Sequence, residues 1–114
     1  MSHTPRAQTQ ISWRKVPYVE AFKNRRNVVI QVDIFGKGFT HIKVYGKTYD
    51  FKDILKELRF RWYQIDWFRK VRNDMVDEVV NELASRMLPI AKERGITIVK
   101  FVRDAHSLSY YIAE

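Results

Sequence analysis

The sequence of 114 residues contains no cysteine, and it has only four glycines and three histidines. Without cysteine there can be no disulfide bond, thiolate zinc site or cysteine nucleophile, and a protein of the reducing cytoplasm is favoured. His41 and His106 show no metal-ligand spacing, so we expect no zinc site. Gly36-Lys37-Gly38 is far shorter than a nucleotide-binding glycine loop, and no cofactor is expected.

Long hydrophobic runs are also absent. No apolar stretch approaches the roughly 20 residues of a membrane span, and residues 1–10 lack the apolar centre of a signal peptide. We therefore expect no membrane partner and a cytoplasmic location. The composition, 46% hydrophobic and 30% charged, is typical of a folded protein of one domain. We assign that domain to residues 11–114, after a flexible tail at residues 1–10.

Positive charge is in excess and unevenly distributed along the chain, whose formal net charge is +8. Residues 1–27 hold six basic side chains against one acidic, and residues 59–72 hold five against one. In contrast, residues 73–94 hold three basic side chains against five acidic ones. Two basic zones beside a mildly acidic segment are expected of a surface that faces a polyanion. Composition alone does not decide between nucleic-acid binding and a merely basic surface.

Alternating apolar residues and turn signals predict six strand-like segments. These are residues 27–35, 39–45, 59–63, 67–71, 96–102 and 107–113. The first two are expected to form a hairpin across Gly36-Lys37-Gly38.

Apolar residues at three- and four-residue steps predict the helices. A short helix is expected over residues 51–58, with Asp50 as its cap, and another over residues 18–26. A long helix is expected to follow Asn73 or Asp74 as its cap and to end at Gly95. Pro89 should kink or divide it.

This order of elements predicts an α+β domain. We expect a mainly antiparallel sheet of four to five strands, packed against one long helix and one or two short helices. The helices should cover one face of the sheet and leave the other face available for binding.

One segment stands out from this scaffold. Residues 56–72, KELRFRWYQIDWFRKVR, contain five aromatic and six basic side chains. Phe60 is expected to be a core residue, and the whole segment could be a hydrophobic seam with a charged outer side. A small core does not need three further large aromatic rings, yet the segment also contains Trp62, Tyr63 and Trp67, interleaved with arginine. Aromatic rings stack on unpaired bases while basic side chains contact the phosphates, a combination that favours single strands over duplex.

The run at residues 45–71, YGKTYDFKDILKELRFRWYQIDWFRKV, and the long helix after it resemble the ThermoDBP-type single-stranded DNA-binding proteins of hyperthermophilic archaea. The resemblance covers roughly residues 28–103. It implies a small basic α+β protein, unrelated to the OB-fold, that holds single strands in a hydrophobic cleft flanked by basic residues. Members of that family can self-associate through a C-terminal coiled coil, so a homo-oligomer is left open for this chain.

The predicted partner is therefore single-stranded DNA, with RNA as the alternative, bound with tolerance of sequence. The nucleic-acid-binding residues implied by the resemblance are Trp62, Tyr63, Trp67 and Phe68 in the cleft, with Arg59, Arg61, Arg69 and Lys70 at its edges. Near the end of the hairpin, Lys43, Lys47 and Tyr49 could extend the groove, although exposed lysines are usually solvated surface.

Two other classes of function were weighed. In a nuclease, Asp33, Asp50, Asp53 and Glu57 would be the carboxylates available to hold magnesium. Helix capping explains Asp50 and Asp53 better, and no acid cluster is apparent, so an enzyme is not expected. The remaining alternative is a protein-interaction subunit of a nucleic-acid-processing complex, with the aromatic and arginine side chains forming its binding hot spot.

Overall fold

The computed structural model describes residues 11–114, and the tail predicted at residues 1–10 lies outside the described residues. Seven strands form within residues 11–114: β1 (Trp13–Val16), β2 (Asn27–Ile34), β3 (Phe39–Gly46), β4 (Arg61–Tyr63), β5 (Asp66–Arg72), β6 (Thr97–Asp104) and β7 (Leu108–Ala113). The same residues form three α-helices: α1 (Tyr18–Ala21), α2 (Lys52–Glu57) and α3 (Val76–Arg94). Short 3₁₀ turns at Tyr49–Phe51 and Asn73–Met75 lead into α2 and α3.

All seven strands belong to one sheet, in the order β1-β7-β6-β2-β3-β5-β4. Five neighbouring pairs are antiparallel, whereas the central pair of β2 and β6 is parallel. The predicted number of strands is therefore wrong: the sheet has seven strands instead of four to five, and the parallel pair makes it mixed. Alternation of apolar residues identifies a strand but does not identify its neighbour, so the parallel pairing could not be read from the pattern.

Strand β1 has no counterpart among the predicted strands. It is only four residues long, and the adjacent basic residues Arg14 and Lys15 hide any apolar alternation. It forms because β7 offers it a partner, with Trp13 opposite Ala113 and Val16 opposite Tyr110. A strand stabilised mainly by a partner at the other end of the chain leaves little local signal.

The long helix α3 covers one face of the sheet. Its buried side chains fall at three- and four-residue steps and are Val76, Val79, Val80, Leu83, Ala84, Met87, Leu88 and Ala91. They pack in one core with alternate residues of the central strands, namely Val28, Ile30, Val32, Ile42, Val44 and Ile98. The predicted apolar stripe of this helix is confirmed.

The other face of the sheet is covered only towards β7. Here α1 and Phe22 pack over the small cluster of Val16, Ala21, Val29 and Val99. Over β3, β5 and β4 the side chains on this face are exposed or half-exposed. One part of the sheet therefore presents an open surface.

The boundaries predicted for α2 and α3 are close to those observed, but the predicted caps are wrong. Neither helix begins with a capping hydrogen bond from a side chain. The Asp50 carboxylate lies 3.7 Å from the Arg94 guanidinium, and the Asn73 side-chain oxygen accepts a hydrogen bond of 2.7 Å from the Thr40 hydroxyl. Each of these polar groups takes a tertiary partner instead of the helix end, and Asp74, the alternative cap, pairs with Arg72 at 2.8 Å.

Pro89 does not divide α3, which continues unbroken to Arg94 and ends at Gly95 with a φ of 68°. Because Pro89 lies on the exposed side of the helix, water can bind the carbonyl that loses its intrahelical donor. The short helix predicted over residues 18–26 ends earlier, at Ala21.

Candidate nucleic-acid interface

The hairpin of β4 and β5 carries most of the predicted binding residues and divides them between the two faces of the sheet. Trp62 lies opposite Trp67, and Arg61 lies opposite Phe68. Directly opposed residues share a face, and successive residues of a strand alternate between faces. Trp62 and Trp67 are therefore on the α3 side, whereas Arg61 and Phe68 are on the other side. This alternation keeps the four aromatics predicted for one cleft from lying together.

On the α3 side, the two tryptophans line an open cleft of about 350 Å³. The rest of the lining comes from the end of β3 and the start of α2. We call this space the cleft, and its lining residues are Gly46, Lys47, Thr48, Tyr49, Lys52, Trp62 and Trp67. Four of the predicted site residues, Lys47, Tyr49, Trp62 and Trp67, are thus brought together.

The two tryptophans of the cleft have different roles in the packing. Trp67 is only 7% exposed and belongs to the core, whereas Trp62 is 55% exposed. Their ring centroids are 5.5 Å apart with an angle of 63° between the planes, an edge-to-face contact. The buried ring thus fixes the position of the outer ring, and much of the Trp62 indole remains in contact with solvent.

A sharp turn at Gly46 brings the other wall of the cleft into position. Gly46 has a φ of 97°, and a Cβ there would lie 2.6 Å from the Asn27 carbonyl oxygen. That same oxygen accepts a hydrogen bond of 2.9 Å from the Lys47 N–H. Tyr49 follows with 76% of its surface exposed, and the Lys52 ammonium lies 4.4 Å from the centre of its ring. The cleft is therefore rimmed by two lysines and an exposed tyrosine.

Arg59 and Arg69 hold the end of α2 against β5. Arg59 has a φ of 68°, the Phe60 N–H donates to the Leu55 oxygen at 2.9 Å, and the Arg59 N–H donates to the Lys56 oxygen at 3.0 Å. This is the Schellman ending of a helix, with arginine where glycine is usual. Arg69 donates to the Leu58 carbonyl at 2.8 Å. Arg69 is thus engaged by the backbone, whereas the Arg59 side chain is exposed.

On the other side of the sheet lies a second group, which we call the open sheet face: His41, Lys43, Arg61, Tyr63, Phe68 and Lys70. Phe68 is at its centre, directly between Lys43 on β3 and Arg61 on β4. The rings of His41 and Tyr63 meet Phe68 edge-on, with centroid distances of 5.3 and 6.2 Å. Three aromatic rings and three cations therefore share one surface.

A polar network borders the open sheet face on β2. Asp33 is buried and accepts hydrogen bonds from Arg103 at 2.9 Å and from Gln31 at 3.1 Å. The Gln31 side-chain oxygen in turn accepts from the Tyr45 hydroxyl at 2.9 Å. Burial raises the pKa of Tyr45, and the nearby Asp33 carboxylate raises it further. The border is thus held by hydrogen bonds among buried and half-buried side chains.

The ion pairs of the described residues include no residue of the cleft or of the open sheet face. They join Arg14 to Glu20 and Glu114, Arg72 to Asp74, Arg86 to Glu57, Arg94 to Asp50 and Arg103 to Asp33. Within residues 11–114, none of the basic side chains of the cleft or the open sheet face forms such a pair. These are Lys43, Lys47, Lys52, Arg61 and Lys70. Their charge is therefore available to an anionic partner.

The carboxylates weighed for a nuclease do not converge. Asp33 pairs with Arg103, Asp50 lies near Arg94, and Glu57 pairs with Arg86. Between Ile11 and Glu114, no three Asp, Glu or His side chains are grouped so that they could hold a metal ion.

Sequence reasoning missed Lys52 and Thr48 in the cleft and His41 on the open sheet face. Lys52 follows Tyr49 by three residues, a spacing at which side chains of a helical segment meet, so a signal for it existed. His41 alternates with Lys43 along β3 and shares its face. Its contact with Phe68 depends on the pairing of β3 with β5, which has no local signature.

Comparison of the chain with protein-family models, curated proteins and solved structures finds no match. In the part of the chain that the structure describes, no helix has the length and apolar character needed to cross a membrane. Function is therefore inferred from the chemistry of the two surfaces.

Proposed function

We propose that the protein binds single-stranded nucleic acid with little dependence on sequence, and that the cleft is the site where bases are held. The observation that carries the proposal is the exposed Trp62 ring beside two lysines that form no ion pair in the described chain. A base stacked on Trp62 would gain about 1 to 3 kcal/mol. Lys47 and Lys52 would contact the adjoining phosphates.

The geometry of the cleft supports an unpaired strand as the ligand. A duplex hides the flat faces of its bases, so they cannot stack on the exposed indole ring of Trp62. The cleft volume of about 350 Å³ lies at the lower end of the range of ligand sites, roughly 300 to 1,000 Å³. A recess of this size suits a base that has left its stack.

We propose that the chain belongs to the ThermoDBP-type proteins, which residues 45–71 resemble. DNA is the preferred partner in this proposal because those proteins bind single-stranded DNA. No cofactor and no catalytic step are required. We also propose a cytoplasmic location, because a chain without cysteine suits a reducing compartment.

The proposal is tested by a competition assay in which oligo-dT, oligo-U and duplex DNA of equal length displace a labelled oligo-dT. The fluorescence anisotropy of the labelled oligo-dT measures the displacement. We expect oligo-dT to compete best and duplex DNA to compete poorly. Affinity should fall steeply with salt, because each phosphate contact to a single strand contributes about 0.7 to the slope of log K against log salt. Equal competition by duplex DNA would contradict the proposal.

Two lysine variants make the test specific to the cleft. Lys47→Gln should lower the salt slope by about 0.7. The matched control is Lys15→Gln, an exposed lysine on β1 at the opposite edge of the sheet, which should leave the slope unchanged. A protein-interaction subunit would instead bind oligo-dT only through its general positive charge, so Lys47→Gln and Lys15→Gln would have equal effects, and its aromatic interface with a partner protein would be only weakly sensitive to salt.

A further inference from the structure

The cleft and the open sheet face are separated only by β4, the edge strand of the sheet. This strand has three residues, all of them exposed, and no further strand pairs with its outer side within residues 11–114. Trp62 faces the cleft, whereas its neighbours Arg61 and Tyr63 face the other side. A chain that leaves the cleft at Trp62 therefore meets a cation and an aromatic ring as soon as it rounds the edge.

The open sheet face has the chemistry of a second nucleic-acid contact. Tyr63 is 64% exposed, and Phe68 is half-exposed between Lys43 and Arg61. Aromatic rings on a strand face offer stacking platforms, and the cations between them can contact phosphates. Nothing in the core requires these three cations or the exposed tyrosine.

The charge pattern limits where such a strand can run. Lys43, Arg61 and Lys70 lie on β3, β4 and β5, whereas β2 presents the buried Asp33 carboxylate, which already pairs with Arg103. Beyond β2 the face is covered by α1. The Asp66 carboxylate lies opposite Tyr63 at the turn end of the hairpin. An anionic chain is thus confined to the three strands next to the β4 edge.

We propose that one single strand occupies both surfaces, with its bases in the cleft at one end and its backbone continuing around β4 onto the open sheet face. This inference rests on the proposed function, because it extends the same ligand beyond the cleft. It assigns to Lys43, Lys70 and Tyr63 a role only in binding longer strands.

The test compares oligo-dT of about 4 and about 16 nucleotides, lengths that bracket the site sizes of single modules that bind single strands. The double variant Lys43→Gln/Lys70→Gln should lower the salt slope for the longer strand by about 1.4, at about 0.7 for each phosphate. It should leave the shorter strand unchanged. Tyr63→Ala should weaken the longer strand alone, by about 5- to 150-fold if one base stacks there.

The matched control is Lys15→Gln/Lys23→Gln, which removes two exposed lysines that lie outside both surfaces. It should bind both lengths as the parent protein does. Thermal unfolding of each variant checks that the fold is retained.

The remaining outcomes separate the inference from the proposed function. If Trp62→Ala weakens both lengths and the open-face variants change neither, the second contact is wrong and the cleft stands. If the open-face variants weaken both lengths equally, or if two long strands bind per chain, the continuous path around β4 is wrong. If no variant on either surface changes the binding of either length, both proposals fail.

Discussion

Replacement of Trp62 by alanine tests the stacking proposal most directly. The ring is 55% exposed, and loss of a stacked base would cost about 1 to 3 kcal/mol of binding free energy. Since about 1.4 kcal/mol corresponds to a tenfold change, the Kd for oligo-dT should rise by about 5- to 150-fold. The salt dependence should stay the same, because the indole carries no charge.

The burial of Trp62 also gives an expected loss of folding stability for this substitution. A little under half of the Trp62 surface is buried, on the order of 100 Å², which contributes about 2 to 3 kcal/mol to stability. That loss is smaller than the total of about 5 to 15 kcal/mol typical of a folded protein, so the variant should remain folded. Urea unfolding followed by circular dichroism should measure the loss separately from binding.

The matched control for Trp62→Ala is Tyr18→Ala. Tyr18 is 60% exposed and also packs edge-on against a partner ring, that of Tyr110 at 5.4 Å. It lies on α1, away from the cleft, so its removal should cost similar stability and leave oligo-dT binding unchanged. The reasoning is refuted if folded Trp62→Ala binds oligo-dT within twofold of the parent, or if Tyr18→Ala loses as much affinity.

Three further predictions concern backbone geometry and pH. Gly38→Ala should lower the free energy of unfolding by about 1 to 2 kcal/mol because of the positive φ alone. Gly46→Ala should lower it clearly more, because the new Cβ would also lie 2.6 Å from the Asn27 carbonyl oxygen. Equal urea midpoints for the two variants would contradict this. Arg59→Gly should raise the free energy of unfolding by about 1 kcal/mol through relief of the φ of 68°, whereas Arg59→Ala, which keeps a Cβ at this φ, should give no such gain in urea unfolding. The pKa of Tyr45 is higher in the folded protein than the ordinary value of about 10. The stability that this shift contributes should therefore be complete below about pH 10 and be lost as the pH rises through the folded-state pKa. Tyr45→Phe should make the free energy of urea unfolding less sensitive to alkaline pH.

Local pattern was sufficient for most of the secondary structure. Strand β2 was predicted at residues 27–35 and is observed at Asn27–Ile34, and the helix predicted to end at Gly95 does so. These elements have strong periodicity because one side of each faces a core, and burial of that side selects apolar residues at regular steps. The caps failed because Asp50 and Asn73 find tertiary partners, which no local rule includes.

The candidate site divides in the same way. Alternation along β4 and β5 was enough to separate Trp62 from Arg61, because successive side chains of a strand must point to opposite faces. Which of those faces α3 covers depends on the whole sheet. The expectation of one cleft containing all four aromatics therefore gave way to two surfaces on either side of the edge strand.

The sequence of residues 56–72 is enough to predict a basic, aromatic hairpin whose side chains alternate between the two faces of the sheet. The seven-strand order, the parallel pairing of β2 with β6 and the edge position of β4 depend on contacts between segments distant in sequence, and the free energy of such contacts appears only when the chain has closed on itself. Edge position leaves Trp62 open to solvent, while burial against α3 seals Trp67 within the core.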